Sequence, residues 1–352
     1  MSVDRLEIRV SITKLLLALI IIIVPLSIIG LALTEQSDQS LDNAVGANFK
    51  TMAQLYASDV SRFMVDSVAA VNSLANDPSV VSAVTSGPKG KAGMDANASQ
   101  VLKQRQLLDP RFLSIVATND GGQVVASSQP APKTSYAQDA GWQAAYNNGN
   151  GATKIGDIVD DEFTKSYYVT MNVPVASANG GPTAGVVSAK VNLSEVLNRF
   201  RQEGVGNGAR ASLVGDDGKI ISAPNADVFA RISAPEFDFV RDSLTSAQGG
   251  QNGWVMADVG NRKKIVGYAG LGLKQYFPNL GWFVTVSQDE HQAAAPVRQL
   301  QHFALGMVIL AVFMLTLLFV YYYLHRAQGR PDIEQELARE AEERHRTATA
   351  SV

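Results

Sequence analysis

The chain contains no cysteine, which excludes a disulfide framework and any thiolate metal site. It has 4 histidines, at His291, His302, His325 and His345, and no two of them stand at the His-x-x-x-His spacing of a helical metal pair. Gly-x-Ser-x-Gly is absent, so no nucleophile elbow is signalled. No Walker-type phosphate loop or kinase nucleotide signature is present either. A net charge of −3 offers no basic field for nucleic acid. An enzyme is not expected, and no cofactor, catalytic residue or metal ligand is assigned.

What is present is apolar excess in two places. Hydrophobic residues make up 46% of the chain and charged residues only 18%. The runs Leu15–Leu33 and Phe303–Leu324 contain no charge, and each matches the ~20 residues a helix needs to cross a bilayer. A cleaved leader is the rival reading of the first run, with Gly30 and Ala32 as a small-x-small site. The run is longer than a leader's apolar core of about 7–15 residues, which favours an uncleaved anchor. Arg5, Arg9 and Lys14 flank the first run, and Arg326 and Arg330 follow the second. The positive-inside rule then places both termini in the cytoplasm. The expected layout is a cytoplasmic segment 1–14, a span at 15–34, an outside segment 35–302, a second span at 303–324 and a cytoplasmic tail 325–352. This makes a two-pass protein of the inner (plasma) membrane. Tyr321–Tyr323 fit an aromatic belt.

Outside, residues 37–75 read as one long helix continuing from the membrane. Leu41, Val45, Phe49, Met52, Tyr56, Val60, Met64, Val68, Val71 and Leu74 recur at spacings of three or four. Such a stripe packs on its own domain, pairs with a second copy in a homodimer, or does both. "NDPSV" ends the helix, and "SGPKGKAGMDANAS" reads as a loop. "FLSIVATNDGGQVVASSQ" is a hairpin, and "KSYYVTMNVPVASANGGPTAGVVSAKVNLSEVL" pairs two strands around Gly-Gly-Pro. Ser194 before Glu195 looks like a helix cap. The pattern then returns in "RASLVGDDGKIISAPN" and "KKIVGYAGLGLKQYFPNLGWFVTVSQDEHQAAAPV". Two strand-rich modules, 107–203 and 208–290, behind one helix indicate an internal duplication. The fold class is α+β, with two antiparallel sheets and a transmembrane helix on each side.

With these parts in place, the stretch "GWQAAY…KIGDIVDDEFTKSYYVTMNVPV…GGPTAGVVSAKVNLSEV" resembles double-Cache sensor domains, the extracellular PAS-like ligand-binding units of bacterial chemoreceptors and sensor kinases. The resemblance covers residues 37–300. It implies a small-molecule ligand in the membrane-distal module, beneath small helices bearing a tryptophan, here Trp142, with Tyr136 and Tyr146 nearby. The residues alone leave a second reading, in which the ring plugs the core over the sheet. Strand alternation places Ser166, Tyr168, Thr170 and Asn172 on one face, and Val186, Ser188, Lys190 and Asn192 on one face of the next strand. Under a lid, such polar faces surround a ligand.

Against the pattern of amino-acid-binding members, Ala140 replaces an arginine and Gln143 a tyrosine. Val159 stands where a tyrosine is usual, while the pocket aspartate remains as Asp161. Lys190 replaces the aspartate that holds the ligand ammonium. The resemblance therefore implies a small anion rather than an α-amino acid. A Lys190 that pairs with Asp161, or snorkels to water, leaves a neutral pocket instead. Asp157, Asp160, Asp161 and Glu162 could hold Ca²⁺, but they lack EF-hand spacing and read as a solvated turn. In the tail, Pro331 can open a helix with Ile333, Leu337 and Ala341 on one stripe, serving either docking or solubility. The tail is too short for an output domain, so the resemblance implies a receptor subunit that signals through a separate cytoplasmic or membrane partner. The alternative is an envelope anchor that captures a solute or protein without signalling.

Overall fold

The computed structural model describes the backbone of residues 12–86, 94–161, 166–177, 181–202, 208–228, 232–245 and 251–349. Side chains before residue 40, at many positions between 294 and 337 and from 345 onward lie outside this description. The chain divides into two compact units, Met1–Ala293 and Ala294–Val352.

The first helix, α1, spans Ile12–Ala75. Phe49, Ala53, Val60, Met64, Val71 and Leu74 on its stripe are buried. Val45, Met52 and Tyr56 pack half-buried on the same core. The stripe is therefore occupied by the chain's own modules. The opposite face is exposed, Leu55 by 63% and Val65 by 47%, so any pairing of copies along α1 would have to use that face.

α1 stops at Ala75, just before the Asn-Asp-Pro-Ser-Val stretch expected to end it, but the chain turns directly into a further helix. Pro78 begins α2 (Pro78–Ser86), because a missing N–H costs nothing in a helix's first turn. The end of the expected loop is also helical: α3 covers Ala96–Leu108, and the Asp95 carboxylate accepts from Ala98 N.

Five strands follow: β1 (Phe112–Asn119), β2 (Val124–Ser127), β3 (Lys154–Asp161), β4 (Ser166–Val175) and β5 (Gly185–Asn192). They form an antiparallel sheet in the order β2-β1-β5-β4-β3. Asn119 Oδ1 accepts from Gly121 N and Gln123 N to close the first hairpin. The acidic stretch expected as a turn is instead edge strand β3, irregular between Ile155 and Ile158. Asp157, Asp160 and Asp161 lie along it, and Glu162 lies outside the described residues. No group of three potential metal ligands occurs among the described residues. Between β2 and β3 lies α4 (Ala140–Tyr146), and after β5 comes α5 (Ser194–Arg201). Ser194 does not cap α5, since the cap position is Leu193. Its hydroxyl accepts instead from Tyr167 N.

The second module repeats the plan: β6 (Arg210–Val214), β7 (Ile220–Ser222), α6 (Phe237–Thr245), β8 (Asn252–Val259), β9 (Arg262–Gly270) and β10 (Phe283–Asp289). Its order, β7-β6-β10-β9-β8, matches the first sheet strand for strand. One face of each sheet packs on α1, giving a single core that runs through both modules. The helix lies very close to Gly267 of β9, where a Cβ would overlap backbone atoms of Phe49 and Lys50.

α7 (Glu290–Thr349) ends the chain and passes through Pro331 without a new start there. The first apolar run falls in α1 outside the described side chains, and the second is only partly described. No helix among the described residues is long and apolar enough to cross a membrane.

The first module is also tied to α1 through the Arg111 guanidinium. Arg111 Nη2 donates to Asp109 Oδ2 at 2.7 Å, and Arg111 Nη1 to Ser67 Oγ at 3.4 Å. The Arg111 hydrogen bond holds the Asp109 carboxyl below the usual carboxylate range, against an opposing effect of burial. The native state thus releases this proton more readily than the unfolded chain does. The stabilisation is full above about pH 4 and is lost as pH falls through the depressed native value. Asp109→Asn is expected to cost about 1.5–3 kcal/mol at neutral pH and to flatten the acid limb of a pH–stability curve. An unchanged acid limb, measured by denaturant titration, would show that the pair contributes nothing.

Candidate ligand-binding site

The candidate residues meet on one face of the first sheet. Directly paired residues on neighbouring strands share a face. Thr170 pairs with Lys190, Asn172 with Ser188, and Tyr168 with Asn192. Thr118 pairs with Val186, and Val116 with Ser188. Asp161 pairs with Ser166, which places it on the Tyr168 side. The other face, Val169, Met171, Val173, Val187, Ala189 and Val191, is fully buried in the core.

Helix α4 covers the polar face. It leaves its last turn through Asn147 at φ 45°, a left-handed conformation that asparagine tolerates. Asp139, at the start of α4, does not cap it with its side chain. It binds Lys133 Nζ at 2.9 Å instead. Gly141 brings α4 close to the sheet: a Cβ there would stand 2.9 Å from Asn172 Nδ2. Beneath it, Ser188 Oγ donates to Asn172 Oδ1 at 2.7 Å, with both side chains buried.

Trp142 is 6% exposed. Its Nε1 donates to Thr118 Oγ1 at 2.7 Å, and that hydroxyl donates onward to the Val186 carbonyl at 3.0 Å. The indole stacks on Tyr146 with centroids 4.9 Å apart. Tyr136 packs half-buried against the same group. Burial raises the Tyr136 phenol's pKa above the ordinary tyrosine value, so it remains a hydrogen-bond donor. Sequence reasoning missed Thr118, which sits inside an apolar strand and carries no pattern of its own. Gly141 was missed as well, since its role is the lack of a side chain.

The aromatic group and Lys190 occupy different parts of the face. Val186, under Trp142, is four residues along β5 from Lys190, which is roughly 13 Å at the rise of a strand. Lys190 Nζ lies 4.5 Å from the centroid of the Tyr168 ring, within cation–π range. Both side chains, with Thr170 and Asp161, are half-exposed. The face therefore has an aromatic end, an amide–hydroxyl centre and a cationic end. Such a surface can hold a small polar ligand by hydrogen bonds and one charge.

The Cache domain family model matches residues 37–297. The chain belongs to this family. No curated protein matches it. Among solved structures, the Cache fold is similar to the ligand-binding domain of the Pseudomonas aeruginosa amino acid chemoreceptor PctC in complex with GABA. That match has a TM-score of 0.52 and 16% identity, and covers 69% of this chain and 99% of that one. The sensory domain of the Campylobacter jejuni chemoreceptor Tlp3 with isoleucine bound matches with a TM-score of 0.55, 14% identity and coverage of 73% and 97%. The ligand-binding domain of the Pseudomonas fluorescens chemoreceptor CtaA, in complex with L-isoleucine, gives 0.51, 16%, 74% and 98%. At these identities the likeness is one of fold.

Proposed function

We propose that the chain is a membrane-anchored sensor whose Cache region binds a small molecule on the α4-covered face of the first sheet. The observation that carries this reading is a polar strand face roofed by an aromatic helix, within a family match over residues 37–297. The proposed pocket comprises Tyr136, Trp142, Tyr146, Asp161, Tyr168, Thr170, Asn172, Ser188 and Lys190. GABA and isoleucine are the ligands named for the similar structures. Here Lys190 and Ala140 support a small anion instead, because an ammonium at the end of the face attracts a carboxylate, sulfonate or phosphate. A unit pair at ~4 Å gives roughly 4 kcal/mol at an effective dielectric near 20, before desolvation is subtracted.

The proposal includes spans at 15–34 and 303–324, the outside segment 35–302 with its two modules, and both termini in the cytoplasm. Phe303, Leu305, Met307, Ile309, Phe313 and Phe319 are more than half exposed in the chain by itself, which supports a lipid-facing surface there. Ligand binding shifts α1 against α7 in this reading, and a separate signalling protein reads the motion. A homodimer would pair through the outward face of α1.

Calorimetry with organic acids, amino acids and amines tests the ligand class. Binding of a small organic anion is expected. Lys190→Asp should abolish it, and Lys190→Met should weaken it with the melting temperature unchanged. Wild-type preference for amines or amino acids, with Lys190→Met harmless, would rule the anion reading out. Residues 37–300 are also expected to fold when expressed alone, and recovery of only unfolded material would refute the proposed boundaries.

A further inference from the structure

A cavity of about 160 Å³ lies in the second module, far along the chain from the α4-covered face. Phe237 and Leu244 of α6 form one wall, and Leu280, Trp282 and Phe283 another. A cavity of this size, with apolar walls, holds a body about as large as a six-membered carbon ring.

The polar part of the lining has a net positive charge. Lys274 and Arg241 both line the cavity, against one carboxylate, Asp216. Lys274 Nζ pairs with Asp216 Oδ2 at 3.2 Å, with the two side chains 65% and 47% exposed. Arg241 stands 5.7 Å from the Phe237 ring centroid and pairs with the exposed carboxylates of Asp238 at 3.5 Å and Asp242 at 3.8 Å. Exposed pairs of this kind are weak and exchange readily. A ligand carboxylate can therefore engage both cations while its apolar body enters among the rings. Gly281 lets this segment lie close against Asp216, since a Cβ there would come 2.9 Å from the Asp216 carboxylate.

The wall carrying Leu280 and Trp282 also touches the first module. Asn279 Nδ2 donates to the Ile155 carbonyl at 3.0 Å, at the irregularity of β3. That strand carries Asp161 on its far end. A body pressed against Leu280 acts on the neighbouring Asn279 and, through one hydrogen bond, on the edge of the first sheet.

We propose that this cavity is a second ligand site, for a small carboxylate with an apolar body of ring size, coupled to β3 through Asn279. Its assignment does not rest on the proposed pocket under α4.

Benzoate is the probe, titrated calorimetrically into the full chain in detergent micelles, with benzylamine and benzyl alcohol as controls. Benzoate is expected to bind at least tenfold more tightly than either control. Arg241→Gln should weaken benzoate at least tenfold and leave benzyl alcohol unchanged. Leu244→Trp, which fills the cavity, should abolish binding, and Lys190→Met should leave it intact. Equal binding of benzylamine, absence of benzoate binding, or loss with Lys190→Met but not with Arg241→Gln would each overturn the site. Hydrogen exchange tests the coupling. Benzoate should slow amide exchange in residues 154–161 of the wild type, and Asn279→Ala should remove that effect without changing benzoate affinity. The same slowing in Asn279→Ala, or none in the wild type, would overturn the coupling.

Discussion

Trp142→Ala lowers the unfolding free energy of the unliganded chain by ~3–5 kcal/mol, the loss expected when a buried tryptophan is truncated. The ring is covered on one face by Tyr146, and its N–H is spent on Thr118. Most of the indole is thus already committed to protein, and only part of its edge is left for a ligand. Truncation would also leave the Thr118 hydroxyl without its donor and open a void over Val186. Trp142→Phe restores most of the area but not the hydrogen bond, and should recover more than half of the loss. A melting temperature unchanged in Trp142→Ala would show that the ring is a loose lid, with its role confined to the ligand.

Gly267→Ala is expected to destabilise by about 3 kcal/mol or more, at the upper end of the range for overpacking. The added carbon meets the main chain of α1 rather than a side chain, so no rotamer change relieves it. Either α1 withdraws from β9 or the strand bends, and both open the shared core. Gly156→Ala is the control: its Cβ would meet nothing nearer than the Thr170 carbonyl at 3.5 Å. Comparable stability of the two variants in urea titrations would mean that α1 is not seated on β9.

The duplication was legible because hairpins announce themselves locally, through Asn119–Gly122 in one copy and Asp216–Gly218 in the other. The polar face of the candidate site was legible for a related reason, since a strand's period of two separates Tyr168, Thr170 and Asn172 from Val169 and Met171. β3 was hidden by its irregularity, which breaks that period, and by aspartates that suggest a turn. α2 and α3 were hidden by Pro78 and Asp95, residues that open helices as readily as they end them. The cavity of the second module has no period at all. Its walls come from Asp216, α6 and the segment around Trp282, which only the folded sheet brings together.

The placement of α1 also sets an order of events at the ribosome. Its later turns pack on the first sheet, which is complete once β5 has emerged at Asn192. Its earlier turns, around Gly46 and Phe49, are covered by Trp254 and Gly267, and the sheet that holds those residues closes only with β10, Phe283–Asp289. At ~5–20 residues per second, translation of the intervening stretch takes several seconds or longer. Throughout that interval Phe49 and its neighbours stay uncovered in the nascent chain. The apolar stripe at the start of this helix is therefore made long before the residues that cover it exist.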